Sequence, residues 1–450
     1  MTLDASTDIS GATTSGRARP RVHFTADDGW INDPYGVVWS GDRYHLFYQA
    51  IPGRVTWAPD CTWGHADSPD LVHWVERAAV LTPQTFERGC WSGSVVADAD
   101  EPVLFYTRIT GDVWSIGQIA RATGSHDLSE WQTDVGDVVI AGPPPELEIH
   151  TFRDPYVFRY GSEWRMLVGA GLHAGGGGVV QYRSTDLATW TATGLLCARG
   201  DDPSGLWTGA AWECPQLFPF QDEWVLLISV WDADVLYYVA AAFGTYDGQR
   251  FVPRKWQRLT YGSSAYAMSA FHDRDGRPCV ISWLREEPQN DPDLIGRAGA
   301  HSVAAVITRT DSGLLALAPH PDLTLAMGAA TSQPAAETGT TRLAKGPSAT
   351  ELTLIPQPGL TMRVIEKDNE LAKLTFGAKA ADVRISRTGR ADESVPVNGG
   401  REVRLLLDSD VLELFGAGAY GAFRIGVAAD PNAVQVLLST PHPQINLRRF

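Results

Sequence analysis

Apolar residues along this chain recur in short runs, not at helical spacing. Tyr44-His45-Leu46-Phe47-Tyr48, Val103-Leu104-Phe105-Tyr106 and Val225-Leu226-Leu227-Ile228 are such runs, rich in β-branched and aromatic residues and bounded by Gly, Asp or Pro. That pattern predicts buried strands and an all-β fold. The runs also repeat. Comparable segments start at Pro34, Ser92, Pro155, Pro215 and Met268, at intervals of 58, 63, 60 and 53 residues. A second strand follows each start: Tyr44 to Gln49, Val103 to Thr107, Trp164 to Val168, Trp224 to Ser229 and Cys279 to Trp283. Polar turns such as Ser40-Gly41-Asp42 and Gly161-Ser162-Glu163 separate the members of each pair. Five units of this length predict a five-bladed β-propeller, one unit per blade.

The pattern changes after His320-Pro321-Asp322-Leu323. Residues 324–347 are rich in Ala, Thr, Gly and Ser and read as a linker with the first edge of a second unit. From residue 348 to 450, alternating segments such as Leu352-Thr353-Leu354-Ile355, Val403-Arg404-Leu405-Leu406-Leu407 and Val411-Leu412-Glu413-Leu414-Phe415 predict a C-terminal β-sandwich. Residues 1–20 read as a disordered tail, which leaves 21–323 as the propeller domain.

Composition narrows the partners. A chain of 450 residues is long for one core, which agrees with two domains. A net charge of −16 and no Lys/Arg run argue against nucleic acid and anionic membrane. No apolar run is long enough for a membrane helix. The 16 Trp fit a sugar-binding surface as well as sheet cores. Five scattered cysteines suggest neither a disulfide framework nor a zinc site, with Cys61–Cys90 the candidate pair under export. The N-terminal segment lacks the apolar stretch of a signal peptide. The expected location is therefore extracellular if a leader precedes this chain and cytoplasmic otherwise, with homo-oligomer formation left open.

Three repeat starts place an acid beside proline: Trp30-Ile31-Asn32-Asp33-Pro34-Tyr35-Gly36, Phe152-Arg153-Asp154-Pro155 and Trp212-Glu213-Cys214-Pro215. A lone Asp-Pro is ordinarily a turn or strand cap. Three in register on a ring bring three carboxylates to one mouth, where mutual repulsion raises at least one pKa and a proton donor can coexist with an ionised nucleophile. The neighbours suggest roles. Asn32 suits an ionised Asp33, the apolar flank Trp212 suits a neutral Glu213, and Arg153 is expected to hold Asp154 ionised as an acceptor for sugar hydroxyls. No His pair or tight carboxylate loop at ligand spacing accompanies them, so neither a metal nor another cofactor is expected.

These motifs, with Phe47-Tyr48-Gln49, Trp63-Gly64-His65-Ala66, Asp70-Leu71-Val72-His73-Trp74 and Trp91-Ser92-Gly93-Ser94, resemble glycoside hydrolase family 32, the β-fructofuranosidases, over about residues 21–450. The resemblance implies a retaining enzyme acting on β-fructosides such as levan, inulin or sucrose. Asp33 would be the nucleophile, Glu213 the general acid/base and Asp154 the transition-state stabiliser. It also implies that Asn32, Gln49, Trp57, Trp91, Ser92, Arg153 and Tyr266 line the fructose subsite. Two stretches depart from the family. Tyr35 stands where the first motif has Asn, which changes the hydrogen bonds beside the nucleophile. Thr260-Tyr261-Gly262-Ser263-Ser264-Ala265-Tyr266-Ala267 lacks both acids of the family's Asp-Tyr-Gly-x-Asp-Phe-Tyr-Ala. An altered pocket with three intact acids leaves three further readings. They are intramolecular fructosyl transfer that releases a difructose anhydride, a non-catalytic sugar-binding propeller, and an arabinosidase on the same ring.

Overall fold

A computed structural model describes residues 18–450 apart from 202–204, 288–295, 338, 347, 427, 429 and 440. Strand makes up 58% of it and helix 4%, so the all-β expectation holds. Five antiparallel blades follow one another along the chain, the third and fourth joined into one sheet through Gly171 and Ala211. Their first strands are Gly29–Ser40, Gly89–Val96, Ile149–Tyr160, Ala211–Phe220 and Ala265–His272. Each of these packs against the next, and the last against the first, which closes a ring with these strands innermost. Apolar side chains on both faces of each blade fill the spaces between blades, so the second strands read as unbroken apolar runs.

The one strand that the first blade takes from a distant stretch of chain is only two residues long, so closure depends on small contacts. Arg297–Ala298 pairs in parallel with Gly29 and Trp30 on the first inner strand. Gly299 adopts a φ of +83°, and a β-carbon there would lie 2.1 Å from the Ile31 carbonyl oxygen, so only glycine lets the closing segment approach this closely.

Beyond the propeller lie a seven-stranded and a six-stranded sheet that enclose a common apolar core. The 324–347 segment supplies more than one edge. Thr331–Gln333 borders the seven-stranded sheet and Thr340–Lys345 the six-stranded one. The seven-stranded sheet is covered on both faces. On Val411–Gly416, Leu412 and Leu414 point into the sandwich core, while Val411 and Phe415 join the core shared with the propeller. Thr260–Tyr261, from the propeller side, extends this sheet by pairing in parallel with Tyr420 and Gly421.

Residues 1–17 lie outside the described residues, but Ala18 already accepts a hydrogen bond from Ser409. The backbone N–H groups of Arg21, Val22 and His23 all donate to the Asp408 carboxylate. Residues 18–23 thus form a strap across the sandwich.

Candidate active site

All five inner strands break their hydrogen-bond ladder at the same level. The irregularities fall between Ile31 and Pro34, Trp91 and Gly93, Arg153 and Tyr156, Glu213 and Gln216, and Tyr266 and Ser269. Proline explains three of them, since Pro34, Pro155 and Pro215 have no N–H to give the ladder. Asp154, Cys214 and Ala267 adopt φ values of +66°, +48° and +45°, a conformation that side chains seldom take and that concentrates at functional sites. Bulges re-aim side chains, and here they turn one segment per strand toward the channel, an acid-bearing one in three of the five.

Side chains satisfy the backbone groups that the bulges release. Thr107 Oγ1 donates to the Ser92 carbonyl at 3.0 Å and accepts from Asp154 N–H at 2.8 Å. Asp154 Oδ2 accepts from Cys214 N–H at 3.0 Å. Gln216 bridges to the Met268 carbonyl and to Ala270 N–H, and His301 Nε2 donates to the Asn32 carbonyl at 2.7 Å. This layer divides the central channel. On one side is a cavity of about 650 Å³ that contains the three acids. On the other is a separate cavity lined by Gly36, Ser94, Val157, Gln216 and Ser269.

Asn32, Asp33, Gln49, Trp57, Trp91, Ser92, Arg153, Asp154, Glu213 and Tyr266 all line the larger cavity, so the structure brings together every residue expected there. Asp33 receives Ser92 Oγ at 2.8 Å, Asn32 Nδ2 at 3.1 Å and Tyr35 OH at 3.3 Å. Trp30 Nε1 donates to Asn32 Oδ1, which fixes that amide with its N–H side toward Asp33 and Gln49. The phenol at Tyr35 also reaches Gln49 Oε1 at 2.7 Å and makes a short contact with Ser92 Oγ. Burial, then Asp33, push this phenol well above its usual range, so it stays a donor.

Burial, reinforced by Glu213, pushes the Asp33 carboxyl up to about 6. Burial and Glu213 push Asp154 up to about 7. Arg153 opposes that rise, as its sequence position suggested, but does not outweigh it. Its guanidinium turns to the next blade and grips Glu213 Oε1 through Nε and Nη2 at 2.9 and 2.7 Å. Glu213 does not sit in an apolar setting either, for Tyr266 OH donates to its other oxygen at 2.6 Å. Trp212 is fully buried against Trp256 inside the blade. Successive residues of a strand face opposite sides, which is why the chain neighbour was a poor guide to the setting of Glu213. Cys214 Sγ stands 3.7 Å from both Asp33 Oδ2 and Asp154 Oδ2, a shared contact in the floor.

The outer wall was not foreseen. Asp112 and Trp114 enter from the connection after Val103–Ile109, and Trp231 and Asp234 from the hairpin that joins Glu223–Asp232 to Val235–Tyr246. Loop residues carry no periodic signal, and only the placement of Trp beside turn residues hinted at them. In the stretch that lacks the two family acids, Ser263 donates to Glu287 at 2.7 Å and Ser264 also contacts that carboxylate. That glutamate is paired with Arg387 of the sandwich and lines a separate cavity with Ser263.

Asp273, Cys279 and His320 are the three-residue group, among the described residues, whose ligand atoms lie close enough to hold a metal. Asp273 Oδ2 is already bonded to His320 Nε2 and Arg277 Nε, and His320 Nδ1 accepts from Asp322 N–H. None of the five cysteines is in a disulfide. Cys61 and Cys90 meet through their backbones, at 3.0 Å, while their thiols turn to Ala58 O and Glu87.

Residues 23–319 match the model of the glycosyl hydrolases family 32 N-terminal domain. The sucrose-6-phosphate hydrolase of Escherichia coli is 31% identical over 320 residues, covering 66% of this chain and 63% of that protein. The levanase of Bacillus subtilis is 33% identical over 293 residues, covering 59% of this chain and 41% of that protein. The chain thus spans under two thirds of the length of these curated relatives. Among solved structures, the β-fructofuranosidase of Bombyx mori superposes with a TM-score of 0.80 at 24% identity, covering 96% of this chain and 93% of that one. Fructan 1-exohydrolase IIa of Cichorium intybus superposes with a TM-score of 0.79 at 20% identity, covering 96% and 97%. Both likenesses bear on the fold.

Proposed function

Because the chain belongs to glycosyl hydrolase family 32, we propose that it is a retaining β-fructofuranosidase that removes terminal fructosyl units from uncharged fructosides. The observation that carries this reading is the convergence of Asp33, Asp154 and Glu213 on one cavity, with donors gathered on Asp33. Donors favour the ionised carboxylate that a nucleophile must be. The Asp33 carboxylate attacks the anomeric carbon of the fructosyl unit while the Glu213 carboxyl gives its proton to the glycosidic oxygen, and the leaving sugar departs as an alcohol. Water then attacks the same carbon, Glu213 takes its proton, and Asp33 is released as a carboxylate. Asp154 accepts fructose hydroxyls. Burial raises the Asp33 and Asp154 carboxyls to about 6 and about 7, so the cavity can hold a proton near neutrality.

Charge supports an uncharged substrate. Five carboxyl groups line the cavity, at Asp33, Asp112, Asp154, Glu213 and Asp234. Arg153 is the cation among its described lining residues, and Glu213 already occupies it. A phosphorylated sugar would bring a dianion to a negative mouth. The indoles of Trp57, Trp91, Trp114 and Trp231 offer apolar faces to sugar C–H surfaces instead.

Product analysis on sucrose, inulin, levan and sucrose 6-phosphate tests the reading. Free fructose is expected from an uncharged substrate, with the phosphorylated one turned over at least about tenfold less efficiently, and Asp33→Ala is expected to lower kcat by about a thousandfold or more. A non-reducing difructose product, preference for the phosphate, or full activity of Asp33→Ala would overturn it.

A further inference from the structure

The bulge-level bonds at Ser92, Asp154, Cys214 and Met268 come from side chains of the inner strands or from Thr107, on the strand paired with the second inner strand. The bond at Asn32 differs in origin. It comes from His301, on the segment that closes the ring, paired with Trp283 of the fifth blade. The Asn32 carbonyl belongs to the peptide leading into Asp33, within the stretch where the ladder is interrupted, so no strand partner takes it.

His301 is wholly buried. Its backbone N–H donates to the Phe24 carbonyl at 2.9 Å, its ring stacks on Phe24 at 5.5 Å, and the edge of Tyr48 closes another side at 5.5 Å. A carbonyl oxygen can only accept, so Nε2 carries the hydrogen and Nδ1 is a bare lone pair. That Nδ1 is buried without a partner. An apolar residue would fill this space with no such penalty, so the histidine is explained by what its other nitrogen does.

We propose that His301 is a positioning residue for Asp33: its Nε2–H stands in for the missing ladder partner, fixes the plane of the Asn32–Asp33 peptide and thereby aims the carboxylate. This rests on the reading of Asp33 as nucleophile. Burial pushes the imidazole down to about 4, below the value of about 6 for Asp33, so the ring is neutral wherever Asp33 is ionised. The device also ties the nucleophile to ring closure, because the strap at Phe24, the fifth blade and the first inner strand meet at this one ring.

His301→Leu and His301→Gln test it, the glutamine amide retaining a donor near the position of Nε2. For His301→Leu, kcat on the preferred fructoside is expected to fall about 10–100-fold with KM within about twofold, and His301→Gln to recover most of that loss. Full kcat in the leucine variant, or equal losses in both while both remain folded, would overturn the role. Should both variants fail to fold, ¹⁵N-histidine spectra of the wild-type protein decide. A protected Nε2–H tautomer that persists below pH 5 supports the assignment, and an Nδ1–H tautomer overturns it. Asp33→Asn run in parallel separates the two readings. If that variant is active, the nucleophile assignment fails and takes this one with it. If it is inactive while His301→Leu is fully active, only the positioning role falls.

Discussion

Ser92 sets how acidic a medium the pocket tolerates. Its hydroxyl donates to Asp33 at 2.8 Å and opposes the rise that burial and Glu213 impose on that carboxyl. Free enzyme with Asp33 near 6 should lose kcat/KM as pH falls through that value, because the nucleophile becomes protonated. Removing a donor that favours the carboxylate raises its pKa further. Ser92→Ala is therefore expected to move the acid limb of the kcat/KM profile upward by about half a unit or more, read from rates between pH 4.5 and 8. An unmoved limb would show that Asn32 and Tyr35 suffice. At this scale the sequence named the residues better than their partnerships. Asp33, Asp154 and Glu213 were legible because proline marked each one. The pairing of Arg153 with Glu213 was not, since it joins two blades and is 60 residues long in sequence.

Thr107 shows what the strand-level architecture demands. One hydroxyl serves two bulges, donating to the Ser92 carbonyl and accepting from Asp154 N–H. Valine has nearly the same shape but would leave both backbone groups buried and unpaired. Thr107→Val should lower unfolding stability by about 2 kcal/mol, measured by urea denaturation, and should reduce kcat as the Asp154 bulge relaxes. Unchanged stability would mean that water fills the role. The inner strands and their hairpin partners were readable because a repeat of apolar runs and polar turns recurs five times. The edge strand Thr340–Lys345 was less visible, being short and half exposed, with its register supplied by Val434–Ser439. The pocket's outer residues Asp112 and Asp234 were invisible for a related reason. They lie on connections, where direction is set by the flanking strands and not by local sequence.

The sandwich and the N-terminal strap are held by a buried ion cluster. His23 Nδ1 lies 2.8 Å from Asp408 and Nε2 lies 2.7 Å from Glu413. Although burial alone would lower it, these two carboxylates raise the imidazole to about 9. A raised histidine pKa stabilises the folded state fully below the unfolded value near 6.5, and that contribution is lost as pH climbs through 9. The melting temperature should thus fall between pH 6.5 and 9.5 by an amount reflecting on the order of 3 kcal/mol, and His23→Gln should flatten that slope. A slope unaffected by the substitution would place the pH dependence elsewhere. Nothing local in the sequence announced this cluster, because its members are separated by 385 and 390 residues. The propeller, by contrast, was legible at whole-molecule scale, since each blade comes almost wholly from one continuous stretch.

That same continuity leaves closure of the ring to a two-residue strand far along the chain, and it has a consequence during biosynthesis. The carbonyl at Asn32 waits for a histidine made 269 residues later. At translation rates of about 5–20 residues per second, the gap is roughly 13–54 s. Throughout it, the inner edge of Gly29–Ser40 leaves the ribosome with no closing segment to cover it, open to pairing with a neighbouring nascent chain. Slow translation or crowded polysomes should therefore cost more folded protein than the stability of the finished ring would suggest.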